Sequence, residues 1–176
     1  MRHVIILYCT TDGQTLRICE YLQGVVEQSG AEVTVLSMDL ADGRDLTVFD
    51  TIVIGASIRY GKHSKLVYDF VHRHAMLLDS KPNAFFSVNL VARKPGRNTP
   101  ATNPYLKEFL QQVPWKPRNL AVFAGKINYP VYGPLDRLVI RLIMWLTNGP
   151  TNPKAVVEFT NWDQVRAFGE LIAQME

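Results

Sequence analysis

Only two cysteines occur among the 176 residues, Cys9 and Cys19. They lack the C-x-x-C spacing of a metal or redox motif, so the expectation is two plain thiols, one buried at a strand end and one on a helix, in a reducing compartment. No stretch approaches the roughly 20 apolar residues of a spanning helix. The first apolar run is broken at TTDG too early for a secretory signal, which predicts a cytoplasmic chain that does not cross a membrane. A basic tract is missing as well: 19 Lys and Arg are scattered among 16 Asp and Glu for a formal charge of +3. That gives nucleic acid little to bind, and suits an anionic ligand or an anionic membrane surface. No Ser/His/Asp set or metal-ligand cluster has a recognisable spacing. Neither G-x-G-x-x-G nor G-x-x-x-x-G-K-S/T occurs, which disfavours a dinucleotide fingerprint and an ATP-type loop.

What is present suits one buried core, with 47% hydrophobic and 20% charged residues, and a single domain over 1–176 is expected. Near-continuous apolar, β-branched runs recur at 3–9, 31–37, 51–57, 83–90 and 119–127. They predict strands buried on both faces of a parallel sheet. Helical periodicity fills the gaps at 14–29 (Ile18, Leu22, Val25, Val26), 65–78 (Leu66, Phe70, Val71), 103–113 (Tyr105, Leu106, Phe109, Leu110) and 162–174 (Val165, Phe168, Leu171, Ile172). Five strands interleaved with helices make an α/β doubly wound sheet of order 2-1-3-4-5. Ligands of such sheets lie beyond the carboxyl ends of the strands, where the strand order reverses.

The loop after the first strand is TTDGQT. It aims backbone N–H groups and threonine hydroxyls at one spot beside a helix N-terminus, where the dipole favours an anion. Gly13 permits turn dihedrals that a side chain resists. A phosphate monoester needs no lysine there, because the nest and dipole can carry its charge. The same residues also suit a plain helix cap on Thr11 or Asp12. IRYGKHSK and VARKPGRNTP follow the third and fourth strands. Tyr60 and Gly61 can offer a face and a close backbone approach to a flat ring, and Ser87 and Asn89 can offer hydrogen bonds to its edge.

TTDGQT resembles the T-x-T-G-x-T phosphate loop of flavodoxins, with Asp12 in place of the threonine before glycine. GASIRYG and FFSVNLVARKP resemble the flavodoxin-like menaquinone-dependent protoporphyrinogen IX dehydrogenases of bacterial haem synthesis, and the likeness covers nearly the whole chain. Flavodoxin is itself the instance by which the switch-point rule names FMN (flavin mononucleotide), so that ligand is the rule's own. The resemblance implies that Thr10, Thr11, Asp12, Gly13, Gln14 and Thr15 hold the FMN phosphate, with the Asp12 carboxylate turned away to cap the helix. It implies that Ser57, Ile58, Arg59, Tyr60 and Gly61 flank the isoalloxazine ring on one side. Ser87, Val88, Asn89, Leu90, Val91, Ala92 and Arg93 would flank it on the other. The activity implied is a six-electron oxidation of protoporphyrinogen IX to protoporphyrin IX, with menaquinone or ubiquinone as acceptor. The flavin would carry the redox chemistry, with no protein nucleophile.

An insertion at 128–160 follows the fifth strand, too long for a simple connection. Its middle, 134–148, reads as a helix with Pro134 near its start and Asn148 and Gly149 as its stop. Arg137 and Arg141 form a narrow polar stripe, and apolar side chains cover most of the rest, more than an ordinary surface helix shows. It could pack on the core, lie in a membrane interface through Leu138, Leu142 and Trp145, or meet a second copy or partner. The family likeness favours peripheral contact with the cytoplasmic face of the inner membrane, where a quinone resides. The basic residues Arg59, Lys62, His63, Arg93, Lys94 and Arg97 are expected at the flavin edge, apt for the two propionates of the porphyrinogen. His72 and His74 read as helix-surface residues. Other readings are a flavodoxin-type electron carrier, an NAD(P)H-dependent quinone reductase and a cofactor-free interaction module. The usual acidity of flavodoxins contrasts with the +3 charge here, a nicotinamide reductase would bleach rapidly with NAD(P)H, and an interaction module would not be yellow.

Overall fold

A computed structural model describes all 176 residues. Eight strands and five α-helices follow in the order β1 (His3–Cys9), α1 (Gln14–Glu27), β2 (Glu32–Ser37), β3 (Thr51–Arg59), β4 (Lys62–His63), α2 (Lys65–Ser80), β5 (Asn83–Asn89), α3 (Pro104–Gln112), β6 (Asn119–Ala124), β7 (Lys126–Asn128), α4 (Pro134–Leu146), β8 (Val156–Glu158) and α5 (Trp162–Ala173). The main sheet runs β2-β1-β3-β5-β6, all parallel. Counting only its five parallel strands, this is the expected 2-1-3-4-5 order. The short β4 adds an antiparallel pairing to the end of β3, through a two-residue turn at Tyr60 and Gly61.

Alternation of side chains across the strands divides the core in two. Ile5, Leu7, Ile52, Ile54, Ala56 and Phe85 point to one face, where they meet Val67, Phe70 and Val71 of α2 and Leu106 and Phe109 of α3. Val4, Ile6, Val53, Ala84, Phe86 and Val88 point to the other, against Ile18, Leu22 and Val26 of α1 and Val165, Phe168 and Ile172 of α5. Helices on both faces leave the carboxyl ends of β1, β3 and β5 as the open end of the sheet, and there the polar loops collect.

Three expectations need correction. The fifth apolar run does not continue as one strand to 127: β6 ends at Ala124, and after Gly125 the chain enters β7, which pairs antiparallel with β8 in a separate two-stranded sheet. Cys19 is fully buried on α1 as expected, whereas Cys9 is only half-buried; both are free thiols. The insertion helix stops at Leu146, two residues early. Asn148 then takes the left-handed conformation (φ 56°), and the Gly149 N–H closes on Met144 O at 2.7 Å. Asparagine is among the few residues that adopt that conformation readily. No helix is long and apolar enough to cross a membrane.

Candidate functional site

An open-mouthed cavity lies at the carboxyl end of the sheet, where ligands of doubly wound sheets bind. Thr10, Thr11, Asp12, Gln14 and Thr15 line it at the α1 end, Ser57 to Gly61 along one side, and Val88 to Val91 with Arg93, Lys94 and Arg97 along the other. These three loops come together because parallel strands in register bring their C-terminal turns side by side.

Gly13, the N-cap residue of α1, sits at φ 88°, and no side chain caps the helix. Neither Thr11 nor Asp12 therefore does what a plain cap would require, and the first N–H groups of α1 remain directed at the loop. The Gly13 N–H donates to Thr10 Oγ1 at 3.1 Å, and Thr11 Oγ1 lies 3.4 Å from Ser57 Oγ. Thr15 Oγ1 is fully buried, lines the cavity and has no hydrogen-bond partner. A buried hydroxyl without a partner costs about 1–3 kcal/mol, so this one suits an anionic oxygen held in the nest. Gln14 donates through Nε2 to Glu158 Oε1 (2.8 Å) and Thr160 Oγ1 (2.9 Å), tying the loop to β8.

The Asp12 carboxylate does not cap the helix. Both its oxygens accept from Arg59 Nη1 at 3.1 Å, and Arg59 Nη2 donates to Asp136 of α4. The guanidinium also lies 5.4 Å from the Tyr60 ring centroid and 5.9 Å from that of Tyr132. The Tyr60 hydroxyl donates to Asp136 as well, and Tyr60 (φ 50°) and Gly61 (φ 80°) both take left-handed conformations in their turn. On the far side, Arg93 Nη1 donates to Leu90 O (2.9 Å) and Nη2 to Thr147 O (3.1 Å) and Thr147 Oγ1 (2.9 Å). Both arginines expected to meet substrate are thus already engaged by the protein.

Several other expected residues lie off the cavity. Lys62 is exposed on β4, and Ala92 is buried behind its loop. His63 is no rim charge: it is 4% exposed, packed against Phe85 and Phe109, with Nε2 3.0 Å from Ser87 Oγ. Burial pulls its pKa down to about 4, so it is neutral at pH 7. Ser87 is fully buried beneath it and offers nothing to a ring edge. Asn89 reaches the cavity wall, but its side chain is spent inward, donating to Ser87 Oγ (3.1 Å) and accepting from the Ala92 N–H (3.0 Å) and Asn103 Nδ2 (3.1 Å). Along this loop the backbone is what remains to meet a ligand. Leu138, Leu142 and Trp145 face solvent, away from the cavity, at 64%, 55% and 68% exposed.

The sequence reading missed Tyr105, Lys126, Tyr132, Ile140, Ile143, Met144 and Thr147, all of which line the cavity. Tyr105 reads as part of a helix stripe and the α4 residues as an undivided apolar surface, and no local signal marks which side of either helix turns inward. Lys126, directly after Gly125 at the strand break, carried a weak one. Lys94, Arg97 and Lys126 have no carboxylate within ion-pair distance. The lining therefore holds five cations (Arg59, Arg93, Lys94, Arg97, Lys126) against one acid, Asp12. That field, with an anion nest at one end and two loops facing each other across the middle, suits a flat, anionic ligand or two.

The flavodoxin domain family matches residues 5–154. The chain is 42% identical over 171 residues to the protein named protoporphyrinogen IX dehydrogenase (quinone) of Escherichia coli K12, covering 97% of this chain and 94% of that one. It is 38% identical over 176 residues to the protein of the same name in Leishmania major, covering 97% and 74%. Among solved structures it is similar to an archaeal flavodoxin (TM-score 0.53, 17% identity, 98% and 96% covered) and to two-electron reduced Megasphaera elsdenii flavodoxin (TM-score 0.57, 14% identity, 97% and 98% covered). At those identities the structural likeness speaks for the fold alone.

Proposed function

From the premise that this chain belongs to the flavodoxin family, we propose that it is an FMN oxidoreductase that converts protoporphyrinogen IX to protoporphyrin IX with a quinone as electron acceptor. The observation that carries the reading is the 42% identity along 97% of the chain, insertion included, to a dehydrogenase of that name. The cavity residues fit the cofactor: the uncapped α1 N-terminus and the orphaned Thr15 hydroxyl suit a phosphate monoester, and the loops at 57–61 and 88–91 leave a slot between them for a flat ring. Bound there, FMN supplies two-electron redox chemistry.

Six electrons and six protons leave the porphyrinogen, so three quinones are reduced to quinols in three turns. The protein's part is to bind, orient and exclude water. Val88, Leu90 and Tyr105 on the cavity wall, with Ile140 and Met144 of α4, provide apolar surface for flat rings. Lys94, Arg97 and Lys126, without carboxylate partners, are the cations left to receive propionates once the phosphate is held at the nest. No buried carboxylate or histidine stands in the cavity: His63, the one buried histidine, is walled off behind Ser87.

The acceptor proposed is menaquinone, reached at the cytoplasmic face of the inner membrane. Leu135, Leu138, Leu142, Trp145 and Leu146 form a solvent-facing apolar strip on α4. Partial immersion of these side chains at roughly 1 kcal/mol each supports reversible peripheral binding. The test is anaerobic mixing of FMN-loaded protein with protoporphyrinogen IX. Flavin absorbance should bleach and return on adding a soluble menaquinone analogue. Flavin that stays oxidised overturns the enzymatic reading and puts the electron carrier first.

A further inference from the structure

Helix α4 forms one wall of the cavity, with Ile140, Ile143, Met144 and Thr147 on the lining, yet its apolar hold on the rest of the chain is slight. Met144 is its only fully buried residue, in a cluster of four with Ile127, Tyr129 and Tyr132. Most of its large side chains face outward. Apart from Arg141, which donates to Thr151 O within the insertion, what fastens it is polar and sits at its two ends. Near the N-terminus, Asp136 takes the Arg59 guanidinium and the Tyr60 hydroxyl. At the C-terminus, Thr147 takes Arg93 through both its carbonyl and its hydroxyl. Arg59 ends β3, and Arg93 closes the turn after β5, so the two fasteners come from the two loops that flank the ring slot. Arg59 is in addition paired with Asp12 in the anion nest.

We propose that Arg59 and Arg93 are positioning residues that clamp α4 over the flavin site through Asp136 and Thr147, so that cofactor occupancy and helix placement are one coupled equilibrium. The clamp takes the occupant, FMN, from the functional reading above, but it needs no porphyrinogen and no quinone. Three physical features support it. Arg59 is shared between two carboxylates, one in the nest and one on the helix, so it also shields the phosphate from Asp12; a helix that leaves withdraws Asp136 and changes the charge beside the nest. The side chains of Arg59 and Asp136 are 25% and 31% exposed, which screens their pairing less than at an open surface. A ligand filling the slot immobilises the loops 57–61 and 88–93, from which both arginines project, and lowers the entropy lost when they grip the helix. Coupling of this kind is reciprocal: whatever FMN does for the helix, the helix contacts do for FMN affinity.

Hydrogen–deuterium exchange of the full chain, with and without saturating FMN, reads the coupling directly. In the wild type, FMN should slow exchange of the amides of 134–147 by about tenfold, within the range typical of coupled sites. In Asp136→Ala, and to a smaller degree in Thr147→Val, that FMN-dependent slowing should shrink, and FMN affinity measured by fluorescence titration should fall by the same factor. Amides of β1 and β3 should stay protected in both variants, which establishes that the fold is intact. Three results overturn the proposal: wild-type exchange over 134–147 that ignores FMN, Asp136→Ala protein that keeps the full FMN effect, or exchange that rises equally with and without FMN, the mark of a merely structural contact. Protein that shows the coupling but cannot oxidise protoporphyrinogen keeps the clamp and loses the enzymatic reading.

Discussion

Thr15 and His63 are both buried polar side chains, and opposite consequences follow from what surrounds each. Thr15 Oγ1 is buried at the cavity wall without a partner, so it gains when an anionic oxygen arrives within reach. Thr15→Val keeps the shape and deletes the hydroxyl; it should weaken FMN binding by about 1–3 kcal/mol in a calorimetric or fluorescence titration. Unchanged affinity would remove the hydroxyl from the phosphate site. His63 faces Phe85, Phe109 and Ser87 instead of solvent, and burial depresses its pKa from 6.5 to about 4. The unfolded chain then takes up a proton that the folded one refuses. Stability from this group is intact above about pH 6.5 and declines as the pH falls toward 4, by up to about 3 kcal/mol. Melting curves between pH 7 and 4.5 should therefore fall less steeply for His63→Gln than for the wild type, and parallel curves would show that His63 does not titrate in this way.

Among the elements, α4 is the one whose two sides have separate work. Its inner side lines the cavity, and its outer side is the strip that includes Leu138, Leu142 and Trp145. Replacing those three with serine or glutamine should abolish co-sedimentation with vesicles of anionic lipid and leave the FMN dissociation constant within about twofold, since none of the three touches the cavity or the core. Retained sedimentation would move the membrane contact elsewhere on the surface. A chain that unfolds would mean that the strip is held by the protein after all. The strands were easier to read than this helix. A buried parallel strand must be apolar on both sides, so its run is visible in one dimension. A helix with apolar residues nearly all round does not announce which third of its surface faces the ligand.

For the whole molecule, the main consequence is linkage between cofactor and stability. FMN that binds only the folded chain should stabilise it by about 2.7 kcal/mol at a hundred times its dissociation constant. At roughly 2–4 °C per kcal/mol for a chain of this size, the melting temperature should rise by about 5–11 °C. FAD should give a smaller shift, because one phosphate nest and no second fingerprint for an adenylate are present. Equal shifts with FMN and FAD would overturn the monophosphate reading.

The sequence by itself determined the order of the five parallel strands and the main helices, and with it the flavodoxin-type sheet, because apolar runs and caps are local signals whose physics acts within a few residues. It marked the loops at 10–15, 57–61 and 87–93 for the same reason. Tertiary structure decided which side chains in those loops are free. Arg59 and Arg93 are taken up by Asp136 and Thr147, 77 and 54 residues away. His63 and Ser87 are turned under the sheet, and Lys126 and Ile140 are brought to the cavity wall from the insertion side. Ion pairs and burial depend on neighbours in space. A basic residue in a polar loop reads the same in sequence whether it faces a ligand or a carboxylate on a distant helix, and only the folded chain distinguishes the two.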